Sequence, residues 1–131
     1  MRLYGAFFLN MISLDVEAEN NEHEKRKSLM EKIYTADEIK KKLYPVFSTI
    51  PVERAILFGS YAKGNPTQLS DVDIFIDSKG KIRGIDFFGV LEDIIETLGV
   101  PVDLIEASQI INGGRAQKEI TKTGVVIYER A

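Results

Sequence analysis

Ile56 to Asp77 reads ILFGSYAKGNPTQLSDVDIFID, and the rest of the chain is best understood from it outward. The apolar run Ala55-Ile56-Leu57-Phe58 stops at Gly59-Ser60. A polar stretch holding Gly64, Asn65 and Pro66 follows, and then Ser70-Asp71-Val72-Asp73 leads into Ile74-Phe75-Ile76. Two apolar runs of strand length, separated by turn residues, predict two buried strands. Side chains alternate along a strand, so Asp71 and Asp73 project from one face and Val72, Ile74 and Ile76 from the other.

Two carboxylates that close repel, and one takes up a proton unless a cation keeps both ionised. A hard divalent ion solves this economically, because Mg²⁺ prefers one or two carboxylates together with substrate phosphate oxygens. Gly59-Ser60 supplies the other half. Glycine lets the backbone approach a ligand, and N–H groups at the start of the helix or turn that follows attract anions. Lys63, three residues after Ser60, lies about one helical turn along on the same side. Singly, a Gly-Ser after a strand or a Ser-Asp-x-Asp is ordinary turn and capping chemistry. The combination reads as a site for a metal-bound polyphosphate.

The chain has 131 residues, 44% hydrophobic and 28% charged, which suits one ordinary globular domain with a single core. Its formal net charge of -3 argues against a general electrostatic grip on nucleic acid, while a nucleotide that brings its own metal remains compatible. The absence of cysteine excludes disulfides, thiolate metal sites and cysteine nucleophiles. The single histidine, His23, lies in a charged stretch and is no candidate for a Ser-His-Asp arrangement.

Residues 1–30 read as an N-terminal extension or arm and residues 31–131 as the functional domain. Met1 to Leu14 is apolar but short, is interrupted by Asn10 and has no convincing small-x-small cleavage site, so an extra packed strand or helix, or an upstream extension of the gene start, is expected there rather than a secretion signal or a membrane span. Asp15 to Lys27 shows no apolar period and reads as a linker or exposed helical arm. Thr35 and Glu38 form a capping box for a helix whose stripe is Ile39, Leu43, Phe47 and Ile50, with Lys40, Lys41 and Lys42 facing water and Pro45 bending or restarting it. A strand is expected over Arg54 to Phe58. Past the second strand, Lys81-Ile82-Arg83 reads as a brief extended segment. Ile85, Phe88, Leu91, Ile95 and Leu98 then mark an amphipathic helix closed by Gly99.

Val102 to Glu106 forms the third strand, and Asp103 within this apolar run needs a partner or a metal. Glu106 points to the opposite face. Ile110-Ile111 are expected to pack, Ala116 to Lys122 to form a short helix, and Val125 to Tyr128 a last strand. The fold class is therefore mixed α/β with α+β character: a small mixed β-sheet with helices packed on it.

Leu57-Phe58-Gly59-Ser60-Tyr61-Ala62-Lys63-Gly64 together with Ser70-Asp71-Val72-Asp73 resembles the signature of the DNA polymerase β-type nucleotidyltransferase superfamily. Within it the likeness is greatest to the minimal nucleotidyltransferases (MNT), which are often paired as antitoxins with a HEPN-domain partner. The resemblance covers roughly residues 35 to 130 and departs at Lys63, where arginine is common; charge is kept and the bidentate fork is lost.

The resemblance implies a Mg-dependent nucleotidyltransferase of the bacterial or archaeal cytoplasm that moves AMP from ATP to an acceptor hydroxyl on a HEPN-domain protein. It makes Asp103 the third acid beside Asp71 and Asp73, the three holding two Mg²⁺ ions, with Asp103 also accepting the proton. Gly59 and Ser60 would bind the β- and γ-phosphates with help from Lys63. The acceptor site would come from a partner, a second copy in a homo-oligomer, or the arm. The alternative is an antitoxin module that neutralises its HEPN toxin by complex formation without catalysis.

Overall fold

The computed structural model describes residues 33–130; the expected arm over residues 1–30 lies outside the described residues. Helix α1 spans Ala36–Ser48 and starts where its capping box dictates. Thr35 Oγ1 accepts the Glu38 N–H at 3.1 Å, and Glu38 Oε1 accepts the Thr35 N–H at 2.9 Å. Ile39, Leu43 and Phe47 are fully buried, while Lys40, Lys41 and Lys42 face water. The helix runs on through Pro45 and does not restart. Proline removes the bond to the carbonyl four residues back, that of Lys41, and both residues lie on the exposed face, where water can serve that oxygen.

Four strands form one sheet in the order β3-β2-β1-β4. Strands β1 (Arg54–Phe58) and β2 (Val72–Asp77) are antiparallel, with Leu57 opposite Ile74 and Phe58 opposite Asp73. Strand β4 (Val125–Glu129) pairs antiparallel to the other side of β1. Strand β3 (Val102–Glu106) runs parallel to β2, with Asp73 opposite Asp103. A parallel pair needs a long crossover, which the helix over Ile85–Leu98 supplies. The segment between β1 and β2 is not only loop: Gly59–Lys63 makes one short helix, α2, which Gly64 closes at φ 80°. The crossover helix is therefore α3, and the last helix, α4, spans Arg115–Thr123.

Val72, Ile74 and Ile76 turn to the core and Asp73 to the other face, as alternation requires. The core lies between that side of the sheet and helices α1 and α3, where Leu57, Ile74, Ile76, Leu104 and Ile127 meet Leu43, Phe47, Ile94 and Leu98. Burying each such side chain contributes about 1.5–3 kcal/mol. Helix α4 packs over β1 and α2. Its closing residue, Gly124, comes so near Ile56 that a Cβ there would lie 2.9 Å from Ile56 Cγ2, so α4 covers the sheet face opposite the core.

Three expectations need correcting. The buried stripe of α3 is Val90, Ile94 and Leu98; Ile85 and Phe88 are 89% and 63% exposed. Phe87, Phe88, Val90, Leu91, Ile94, Ile95 and Leu98 form one wide apolar arc on this helix, opposite Asp86, Asp93 and Glu96, so two stripes within the arc share the helical spacing and only the sheet selects between them. Lys81-Ile82-Arg83 is not a strand; Ile82 plugs the core, and its N–H is donated to Ser78 Oγ at 3.0 Å. Ile111 does not pack, being 75% exposed.

Glu106 is buried on the core side of β3. Its Oε2 accepts the Ser78 N–H and hydroxyl at 3.2 and 2.9 Å, and its Oε1 accepts those of Ser108 at 2.8 and 2.6 Å. Burial pushes this carboxyl up, but the bonds from Ser108 and Ser78 outweigh it and hold the group below its ordinary value. The carboxylate ties the end of β2 to the turn after β3. Among the described residues, no helix is long and apolar enough to cross a membrane.

Candidate active site at the Gly-Ser bend

β1 ends, and β2 and β3 begin, at the same end of the sheet, so Gly59, Asp73 and Asp103 come from three neighbouring strands. Gly59 has φ 72°, a conformation that favours glycine. A Cβ there would also lie far inside contact distance of Asp73 Oδ2 and 3.2 Å from its Cγ. The bend and the acid are thus fitted to each other, and no other residue type allows both. The Gly59 N–H is donated to Thr123 Oγ1 at 3.2 Å, and that hydroxyl donates in turn to the Glu119 carbonyl at 2.8 Å. Gly59 therefore gives the site room rather than a free donor. The N-cap, Phe58, makes no side-chain cap, which leaves the first-turn N–H groups of α2, from Ser60 onward, as the ones turned out by helix geometry.

The acids behave as a group. Asp73 is partly buried; Asp71, one residue ahead of β2, and Asp103, on the edge strand, are exposed. Burial first, then the charges of Asp103, Asp71 and Glu119, push the Asp73 carboxyl up to about 6 from 3.8, while Arg115 pulls the other way. An all-carboxylate set suits a hard cation, and the repulsion gathered on Asp73 is what such a cation would relieve. Among the described residues, no three His, Cys, Asp or Glu side chains are already closed into a ligand set, so the acids would have to draw in around an ion. Lys63 Nζ lies 3.7 Å from Glu119 Oε2.

Three residues around this site were not singled out in the sequence. Arg115 and Glu119 act on Asp73, Glu119 also pairs with Lys63, and Thr123 holds Gly59. They are spaced by four and four along α4, one stripe of one helix. That polar stripe was the available signal, hidden because such a pattern usually marks a solvated face.

A strand, a Gly-Ser bend with a short helix, and acids on the two strands beside it define a phosphate-handling α/β domain of the kind that transfers nucleotides. Residues 38–131 match the family model described as "Polymerase beta, Nucleotidyltransferase", and the chain belongs to that family, as its motif suggested.

Two Methanocaldococcus jannaschii proteins, each named as a candidate protein adenylyltransferase, are similar to it. One is 35% identical over 75 residues, covering 56% of this chain and 80% of the relative. The other is 36% identical over 63 residues, covering 47% and 63%. Two solved structures share the fold. A chain of a toxin-antitoxin crystallised with AMP-PNP superposes with TM-score 0.61 at 18% identity, covering 70% of this chain and 73% of that one. A chain of the complex of tri-AMPylated Shewanella oneidensis HEPN toxin with MNT antitoxin gives 0.57 at 17%, covering 73% and 74%.

Proposed function

We propose that this protein transfers AMP from ATP to a hydroxyl of a HEPN-domain partner in a bacterial or archaeal cytoplasm. The observation that carries the reading is the register of Asp73 with Asp103 on adjacent parallel strands, beside a glycine whose Cβ position Asp73 crowds. The names of the two archaeal relatives support the reaction, and the two toxin–antitoxin structures, one with AMP-PNP and one with an AMPylated toxin, support the nucleotide and the acceptor class.

Asp71, Asp73 and Asp103 would hold magnesium, which when bound neutralises the triphosphate and lowers the pKa of the attacking hydroxyl. The chain's own residues then have few tasks, because positioning and charge neutralisation dominate phosphoryl-type transfer. First-turn N–H groups from Ser60 onward bind phosphate oxygens, with Lys63 assisting. Gly59 keeps the bend close to Asp73. Asp103 takes the proton as the acceptor oxygen bonds to the α-phosphorus, the bond to the bridging oxygen breaks, and pyrophosphate leaves.

The test is incorporation of labelled AMP into a copurified HEPN-domain partner in Mg²⁺. Wild type labels the partner and Asp73→Asn does not. A variant that labels at the wild-type rate removes the metal role of Asp73, and a wild type that neutralises the partner without labelling it leaves the non-catalytic antitoxin module as the function.

A further inference from the structure

The bend carries one cation of its own, Lys63, and that cation faces Glu119 at 3.7 Å. A triphosphate brings several negative charges to acids that already repel one another, and cations of the protein beyond Lys63 would share with magnesium in holding it. Helix α4 is placed to provide them. It packs against α2 and β1, and its Thr123 anchors the Gly59 N–H, which fixes the helix against the bend. One and two turns back along the same stripe stand Glu119, on Lys63, and Arg115, whose charge reaches Asp73. Arg115 is exposed and makes no salt bridge among the described residues. Its planar fork suits phosphate oxygens better than the point charge of a lysine.

From this stripe we infer that α4 is the clamp for the polyphosphate of a nucleoside triphosphate: Arg115 takes phosphate oxygens beside Asp73, and Glu119 occupies Lys63 until a phosphate oxygen displaces it. The inference rests on the nucleotidyl-transfer reading and assigns that site two further binding residues. Glu119 thereby acts as a resident anion. It keeps Lys63 aligned, and it sets a threshold that a polyphosphate passes more readily than a singly charged ligand.

The test is calorimetric titration of the full chain with a non-hydrolysable ATP analogue in Mg²⁺, alongside melting of each unliganded variant. Arg115→Ala should weaken binding roughly 10- to 100-fold, as expected for charged hydrogen bonds to phosphate, while the unliganded variant keeps its cooperative melting. Arg115→Lys should recover part of the loss. Glu119→Gln, which frees Lys63 and removes a negative charge, should tighten binding several-fold. Wild-type affinity in Arg115→Ala, a loss accompanied by non-cooperative unliganded melting, or weaker binding in Glu119→Gln would each overturn the clamp. A wild type that binds no analogue overturns the nucleotidyl-transfer reading instead, a result separate from any of these.

Discussion

Asp73→Asn should make the metal-free protein more stable while abolishing transfer. The folded Asp73 carboxyl lies at about 6 against 3.8 ordinarily, because burial and then Asp103 and Asp71 oppose its charge. At about 1.4 kcal/mol per pH unit this difference corresponds to about 3 kcal/mol. Solvent screening of the partly exposed side chain reduces that to about 1–2 kcal/mol. A folded value above the unfolded one means that the proton favours the folded state, so the stability from this group is complete below about 3.8 and is lost as pH rises to about 6. The asparagine variant, having no such proton, should match wild type near pH 4, pull ahead between 4 and 6, and keep a constant lead of about 3–8 °C in melting temperature up to pH 8. Calorimetric melting in EDTA across that range measures it. Equal melting of the two proteins at pH 8, or a lead that is largest in acid, would refute the claim that Asp73 is ionised at a cost. Magnesium with ATP should erase the lead by stabilising wild type alone.

Gly59→Ala combines a backbone that favours glycine with a Cβ driven into Asp73, and should lose 2 kcal/mol or more of stability, by about the cost of a left-handed residue plus the displaced acid, along with AMP transfer; urea unfolding and the labelling assay read the two effects. Glu106→Gln turns an acceptor of four hydrogen bonds into a group with an NH₂ facing serine donors, and should cost about 2–3 kcal/mol in urea unfolding at pH 7. Because this carboxyl is held below its ordinary value, its contribution is present above 4.5 and fades as the solution is acidified through the folded value, so the gap between variant and wild type should narrow in acid. Pro45→Ala restores a helix N–H on the exposed face of α1 and should raise stability by about 1–2 kcal/mol in the same measurement.

What could be read without coordinates follows from which forces act locally. The capping box at Thr35 and Glu38, the left-handed stop at Gly99 and the opposite projection of Asp73 and Val72 depend on residues a few positions apart, and all stand as read. The polymerase β family was legible in the contiguous segment from Leu57 to Asp73. Where two solutions satisfied the same spacing, as on the wide apolar arc of α3, the pattern chose Phe88 and Ile95 and the sheet chose Val90 and Ile94. Arg115, Glu119 and Thr123 escaped notice because their meaning arises only when α4 is laid over β1, more than fifty residues upstream. The pairing of Asp73 with Asp103 was expected only through family likeness; the parallel register that creates it depends on the length of the α3 crossover.

Asp103 stands on an outermost strand and points outward, so exchanging it would disturb no neighbour's packing. If it receives the acceptor's proton as proposed, a position on which turnover depends is also one that folding polices least. A lineage could then silence this domain in a single step and retain a well-folded protein.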